Sequence, residues 1–145
     1  MDVDAHEDVF ENQVRFEETD MQGIVFYGNY ATYQDETVSE FMRQIGYGYG
    51  QAQERGWDIH VVNVELNYRG QATFDDWLVN GLRVDRIGGS SLEFSYVCRK
   101  RETGEVVTDG DVTHVVVDED GAPMQVPEAF REAVVEFQDV PPAEY

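Results

Sequence analysis

One segment near the N-terminal end of the chain carries the hydrophobic spacing of a helix. The residues of its apolar face recur every three or four positions, at Tyr30, Tyr33, Thr37, Phe41 and Ile45. The positions off that face are polar or charged: Gln34, Asp35, Glu36, Glu40 and Arg43. This spacing predicts an amphipathic helix of about four turns over residues 30–45. Asn29 is a favoured N-cap residue and Gly46 a favoured C-terminal stop.

After this helix, the period changes to the two-residue alternation that is typical of strands. The extended segments are residues 62–68, 77–86, 92–99 and 106–117. Asp109-Gly110-Asp111 predicts a β-bulge inside the last of them. An earlier strand is expected at about 12–18, where Val14 and Phe16 alternate with polar residues. A short helix is expected over residues 127–137, and every regular segment between the two helices is expected to be a strand.

The order of these elements, a strand, a long helix and four further strands, predicts an α+β domain with an antiparallel sheet. A chain of 145 residues has room for one domain of ordinary size. We expect residues 1–10 to form a flexible arm and residues 139–145, which include Pro141-Pro142, a flexible tail. Because one helix covers only one face of a five-stranded sheet, we also expect a dimer.

The charge of the chain is strongly acidic, which excludes several classes of partner. Thirty acidic residues against ten basic ones give a net charge of -20. Such a surface repels nucleic acid and anionic membranes. It also repels itself in dilute salt, whereas molar salt shortens the Debye length to about 3 Å. The composition therefore favours a halophilic source.

Three further features of the sequence favour a cytoplasmic protein. No run approaches the ~18 apolar residues that a membrane span needs. The acidic start, Met1-Asp2-Val3-Asp4, is unlike a secretory signal. Cys98 is the only cysteine, so the chain has no intrachain disulfide.

The segment from Arg15 to Tyr30 carries the densest candidate chemistry. Asp20 lies in a loop-like break, and an apolar stretch leads from it to the start of the predicted helix. Free N–H groups at a helix start stabilise a developing oxyanion. A carboxylate upstream could attack the same carbonyl or activate a water molecule. The alternative interpretation is that Asp20 only caps a turn.

This segment resembles the signature of the hot-dog fold acyl-CoA thioesterases, in the branch of 4-hydroxybenzoyl-CoA thioesterase and YbgC-like proteins. The matching residues are Phe16, Asp20, Gly23, Ile24, Val25, Phe26 and Tyr30. The similarity covers roughly residues 12–138. It implies a long helix wrapped by a five-stranded antiparallel sheet. It also implies homodimers, or tetramers made of two dimers, with active sites at the dimer interface.

The resemblance also implies roles for individual residues. Asp20 would be the catalytic nucleophile or general base, and the backbone N–H of Tyr27 would hold the thioester oxygen. Acyl-CoA would be the substrate, and no metal or organic cofactor is implied beyond the CoA of the substrate. The substrate-binding residues would be Gly23, Val25, Phe26, Tyr30, Asn63, Tyr68, Arg69, Arg86, Ser90 and Ser91.

The sequence departs from this family pattern in the segment 86–91. Some relatives carry several basic residues there to bind the nucleotide phosphates of CoA, whereas this chain has Arg86 and the hydroxyls of Ser90 and Ser91. A noncatalytic acyl-CoA binding module is therefore the alternative function. A helix acid, Asp35, Glu36 or Glu40, is the second candidate for the catalyst. A dehydratase ranks last, because the chain shows no convincing Asp/His pair.

Overall fold

The computed structural model describes residues 3–144. In chain order, its strands and α-helices are β1 (Glu7–Gln13), α1 (Asn29–Gln44), α2 (Tyr49–Glu54), β2 (Trp57–Tyr68), β3 (Trp77–Ile87), β4 (Ser91–Lys100), β5 (Val106–Asp118), α3 (Glu128–Phe137) and β6 (Ala143–Glu144). Five strands form one antiparallel sheet in the order β1-β3-β4-β5-β2, and β6 pairs with β3 in parallel. The predicted α+β class, with five antiparallel strands and one long helix, is confirmed.

Helix α1 packs its apolar face on the sheet, as its spacing predicts, and its bounds lie within one residue of the prediction. The Phe41 ring meets Phe94 of β4 edge to face at 5.7 Å and Phe137 of α3 at 5.3 Å. The spacing places Gln34 on the polar face, but it is buried, because the helix is covered over a wider arc than one apolar stripe. Gly46, with φ of 88°, ends the helix as expected.

The N-terminal predictions are wrong in two respects. Residues 7–10, expected in a flexible arm, begin strand β1 and pair with β3 from Leu82 to Asn80. The strand expected at 12–18 ends at Gln13, and residues 16–18 form a 3₁₀ turn. The alternation misled because Val14 is buried beside Asp76, whereas Phe16 is exposed. Residues 1 and 2 of the expected arm lie outside the described residues.

The tail expected at 139–145 also lies against the sheet as far as residue 144. The Arg83 guanidinium donates to the carbonyl oxygens of Val140 and Pro141. Ala143 then pairs with Arg86 in register with β3. The prediction of a flexible tail is therefore wrong for these residues, because a buried arginine holds the backbone that follows Gln138. Residue 145 lies outside the described part of the chain.

Two local predictions after the long helix are also wrong. Helix α2 occupies residues for which the sequence predicts no helix, and Ala52 is its one buried residue. The bulge expected at 109–111 is absent from β5, which pairs with β2 without interruption from Asp109 to Asp111. The register shift lies instead in β2, between Val61 and Asn63. Within residues 3–144, the longest helix is too short and too polar to cross a membrane.

The two sides of the sheet differ in chemistry. The face turned away from α1 carries half-exposed polar residues such as Glu93 and Thr113 rather than an apolar surface. Exposed apolar side chains lie instead on the edge strand β2, at Val61, Val62 and Val64. An unpaired edge of this kind is a surface for pairing with another chain.

Candidate active site

Residues 18–26 fold back on themselves as a short hairpin that leads into helix α1. The N–H of Phe26 donates to the carbonyl oxygen of Glu18 at 2.9 Å, and the N–H of Asp20 donates to that of Ile24 at 2.9 Å. The Val25 N–H donates to the carbonyl oxygen of Ala72, which fixes the hairpin against the segment before β3. This hairpin therefore carries Asp20 and ends next to the start of α1.

Asp20 lies at the closed end of this hairpin and is half-buried. Its Oδ1 accepts the N–H of Gln22 at 2.8 Å, and its carbonyl oxygen accepts the N–H of Gly23, which has φ of 79°. The carboxylate thus caps a turn, as the alternative interpretation of the sequence expects. Tyr27 comes directly after the hairpin, three residues beyond Ile24, the hydrogen-bonded partner of Asp20. The backbones of Asp20 and Tyr27 are therefore about 10 Å apart, at ~3.3 Å per residue.

The backbone N–H of Tyr27 is an available donor. Among residues 3–144, neither this N–H nor that of Gly28 donates a hydrogen bond to a backbone or side-chain acceptor. Gly28 is the N-cap of α1, in place of the expected Asn29, so both amides lie at the positive end of the helix dipole. A Cβ at Gly28 would come within 3.0 Å of the Phe26 ring, so glycine allows that ring to pack over the helix start.

An open groove of about 580 Å³ lies beside these amides. It is lined by Ile24, Val25, Tyr27, Tyr30, Tyr68, Arg69, Gly70, Gln71 and Glu105. The Tyr68 ring packs near those of Tyr27 and Tyr30, with centroids at 6.4 and 5.8 Å, and the Tyr68 hydroxyl donates to the Tyr27 carbonyl oxygen at 3.2 Å. Burial raises the pKa of Tyr30 to about 12, so its phenol is neutral. The groove is an aromatic cleft suited to a flat or apolar group.

Among the described residues that line the groove, the one cation is the side chain of Arg69. Its Nε donates to Oδ2 of Asp109 at 3.1 Å, and a second nitrogen donates to Oδ1 at 3.4 Å. This pairing orients the guanidinium while more than half of the side chain stays exposed. Glu105 lies in the same groove and carries the opposite charge.

The structure does not bring the remaining predicted binding residues to this groove within one chain. Tyr68 pairs with Thr108, whereas Ser91 pairs with Val115 at the other end of β5, about 23 Å away at ~3.3 Å per residue. Arg86 and Ser90 lie at that far end with Ser91. Asn63 is exposed between the two ends, where it pairs with Thr113.

Arg131 of α3 is a second cation at the far end that the sequence analysis missed. It donates to the carbonyl oxygen of Gly88 at 2.8 Å. The segment 86–91 therefore contains one arginine, Arg86, and has a second beside it, contributed by a helix more than 40 residues later. Proximity in sequence gave no signal for this pairing.

The other reactive residues do not line the groove. Asp35 and Glu36 are exposed, and Glu40 bonds to Arg43, which lowers the pKa of that carboxyl. Burial raises the pKa of the Cys98 thiol to about 12, which leaves it a neutral packing group, as its alternation with apolar residues predicts. Within the described residues, no cluster of three metal-binding side chains occurs.

The fold and the groove agree with the known proteins to which the chain is similar. A family model described as the thioesterase-like superfamily matches residues 14–134, and the protein belongs to this superfamily. An Aquifex aeolicus protein, provisionally named an esterase, is 27% identical over 126 residues, which cover 87% of this chain and 96% of the relative. Bacillus subtilis YneP, provisionally named an acyl-CoA thioesterase, is 24% identical over 121 residues, which cover 83% and 87%.

Solved structures show the same architecture. A 1,4-dihydroxy-2-naphthoyl-CoA thioesterase from Synechocystis matches with a TM-score of 0.81 at 16% identity, and the match covers 92% of this chain and 98% of the other. An Aquifex aeolicus protein of unnamed activity matches with a TM-score of 0.79 at 27% identity, covering 87% and 98%. The fold is therefore the hot-dog fold that the sequence resemblance implies.

Proposed function

We propose that the protein is an acyl-CoA thioesterase of the 4-hydroxybenzoyl-CoA thioesterase and YbgC-like branch. It hydrolyses a small acyl- or aryl-CoA to the free acid and CoA. The observation that carries this proposal is the position of Asp20 at the closed end of the hairpin and of the Tyr27 N–H directly after it, where Tyr27 lines an aromatic groove.

The arrangement supports hydrolysis through two complementary groups. The Tyr27 N–H donates to the thioester oxygen, and the dipole of α1 stabilises the negative charge that develops there. The carboxylate of Asp20 acts on the carbonyl carbon directly or takes a proton from the attacking water. When water attacks, the bond from carbon to sulfur breaks and the free acid is released. When Asp20 attacks, the same bond breaks as the acyl group passes to the carboxylate as a mixed anhydride, and water then hydrolyses this anhydride to the free acid and restores Asp20. On either route, the CoA thiolate takes up a proton that the water supplies. The reaction needs no cofactor besides the CoA of the substrate.

Similar proteins and the groove itself support the substrate class. The Synechocystis neighbour is named for an aryl-CoA, and YneP for acyl-CoA. Three tyrosine rings around the groove of this chain offer edges and faces to an aryl or short acyl group. Arg69 is the cation nearest to the groove and would face the polar part of the substrate.

A homodimer would reconcile the two separated halves of the predicted site. The groove and the segment 86–91 lie at opposite ends of one chain's sheet. If two copies pair antiparallel along the exposed edge of β2, the far end of one chain approaches the groove of the other. Arg86, Ser90, Ser91 and Arg131 of the second copy would then meet the nucleotide of a CoA bound at the first.

A thiol-release assay tests the proposed function. Purified protein is incubated with acetyl-, benzoyl- and palmitoyl-CoA at low and at molar salt, and free CoA is measured. We expect release of thiol from at least one small substrate, fastest from the aryl thioester. No release from any substrate at either salt concentration would contradict the proposal.

A noncatalytic acyl-CoA binding module is the second candidate. The observation that favours it is the engagement of Asp20 Oδ1 in the turn with Gln22, which is a structural use of this carboxylate. Under this function, benzoyl-CoA binds in a calorimetric titration while the same sample releases no thiol. Binding together with release would exclude it.

A further inference from the structure

We propose that Glu18 and Tyr33 are positioning residues for the hydrolysis, because their hydrogen bond ties the hairpin that carries Asp20 to helix α1. This inference rests on the proposed function, since it concerns the same site. Neither side chain lines the groove, and neither has a role by resemblance. Their contribution is to fix the spacing between the carboxylate of Asp20 and the N–H of Tyr27.

Glu18 receives four hydrogen bonds that join the two halves of the site. Its carbonyl oxygen accepts the N–H of Phe26 at 2.9 Å and Nδ2 of Asn29 at 2.8 Å. Its Oε1 accepts the N–H of Arg15 at 2.9 Å and the hydroxyl of Tyr33 at 3.1 Å. One residue therefore connects the start of the 3₁₀ turn, the end of the hairpin and two positions of α1.

Tyr33 is a fixed anchor for this connection. Only 1% of the residue is exposed, and its ring meets that of Tyr30 edge to face at 5.6 Å. Burial and the Glu18 carboxylate raise the pKa of Tyr33 far above its ordinary value, so the hydroxyl remains a donor. A hydrogen bond from a buried hydroxyl to a carboxylate is stronger than one between neutral groups.

The position of Glu18 makes the bond matter for the reaction. Asp20 follows Glu18 by two residues, and Tyr27 follows Phe26, the residue paired with Glu18. Movement of Glu18 relative to α1 therefore changes the distance between the carboxylate and the oxyanion donor. A displacement of about 1 Å between reacting groups can cost about 100-fold in rate.

Variants that change only this bond test the proposal in the thiol-release assay, with the benzoyl-CoA or acetyl-CoA that the wild type hydrolyses faster. Tyr33→Phe, which removes one hydroxyl, is expected to lower kcat about 10- to 100-fold with little change in KM. Glu18→Ala is expected to lower kcat by the same factor. The double variant, Glu18→Ala with Tyr33→Phe, is expected to lower kcat no further than either single variant. Glu18→Gln keeps an oxygen acceptor and is expected to restore most of kcat.

Tyr96→Phe is the matched control for loss of a buried hydroxyl. Tyr96 is as buried as Tyr33, but its hydroxyl donates to Oδ1 of Asn80 within the sheet. It is expected to lower the melting temperature as Tyr33→Phe does and to leave kcat near that of the wild type. If Tyr33→Phe keeps the wild-type kcat, or loses no more of it than Tyr96→Phe, the positioning role is overturned.

Amide hydrogen exchange separates this proposal from the proposed function, because it needs no substrate. In Tyr33→Phe, the amides of Asp20 and Phe26 are expected to exchange about tenfold faster than in the wild type, and in Tyr96→Phe at the wild-type rate. Unchanged exchange in Tyr33→Phe overturns the anchoring bond. If the wild type releases no thiol but these two amides exchange faster in Tyr33→Phe, the proposed function is overturned. The anchoring role of the bond between Glu18 and Tyr33 is then still supported.

Discussion

Gly110 of β5 lies so close to the carbonyl group of Glu65 on β2 that a methyl group at position 110 would overlap the Glu65 oxygen. Only glycine allows the two strands to pair at this point. Gly110→Ala is therefore expected to reduce the free energy of unfolding by about 1–3 kcal/mol, measured by urea denaturation. Gly50→Ala is the control, because a Cβ there meets nothing within 4 Å inside helix α2. It is expected to be neutral or stabilising, and an equal loss in both variants would contradict the account.

His114 makes stability depend on pH. It is buried against the Phe94 ring, and among the described residues its Nδ1 has no hydrogen-bond partner. Burial, and secondarily His60, lower its pKa to about 4. The folded protein therefore binds fewer protons than the unfolded chain, so stability is complete above about pH 6.5 and falls as the pH drops towards 4.

The variant His114→Phe removes this proton linkage. Between pH 7 and pH 5, the wild type is expected to lose about 2 kcal/mol more unfolding free energy than the variant. Urea denaturation of both proteins at the two pH values measures the difference. Parallel losses in wild type and variant would show that His114 is not the titrating group.

Salt is expected to stabilise the protein. The net charge of -20 makes the folded chain repel itself. On the sheet, the carboxyl groups of Asp111 and Glu65 lie close together, and burial followed by Glu65 raises the pKa of Asp111. Melting temperature is expected to rise steadily from dilute to molar KCl as this repulsion is screened. Asp111→Asn should raise it in dilute salt at pH 7 and have less effect in molar salt. A melting temperature independent of KCl would argue against a salt-adapted protein.

The edge of β2 is expected to carry the dimer. Val64→Asp adds a charge to an apolar position that is 49% exposed and should yield monomer in light scattering after gel filtration. Val135→Asp makes the same change on α3 at a position that is 48% exposed, and it should leave the mass unchanged. A dimeric Val64→Asp protein would locate the interface elsewhere.

Periodicity predicts the long elements of this fold and fails where backbone geometry decides. The apolar stripe from Tyr30 to Phe41 predicts both ends of α1 to within one residue, because seven side chains of the helix are buried. Helix α2 escapes prediction, because Gly48 and Gly50 disfavour a helix and only Ala52 of its residues is buried. The misplaced bulge has a similar cause, since Gly110 serves a close approach of strands that one strand's sequence does not reveal.

The candidate site is predicted only where its residues are close in sequence. The order Asp20, Gly23, Val25 and Tyr27 suffices to place a carboxylate in a loop before the helix start, whereas it does not predict the hairpin itself. The bond between Glu18 and Tyr33 joins residues 15 positions apart, and that between Arg131 and Gly88 residues 43 apart. Contacts of this kind depend on how the hairpin and α3 pack on the sheet, which no local pattern encodes.

The most direct test of the central claim is the kcat for thiol release from the best acyl-CoA, compared between wild type and Asp20→Asn. Asparagine keeps the size of the side chain and an oxygen for the Gln22 N–H, so it removes the charge while sparing the turn. Glu36→Gln, an exposed helix residue, is the control and should keep the wild-type kcat. We predict that Asp20→Asn lowers kcat at least about 100-fold in a protein of unchanged melting temperature. A folded Asp20→Asn protein that releases thiol at the wild-type rate would contradict the claim.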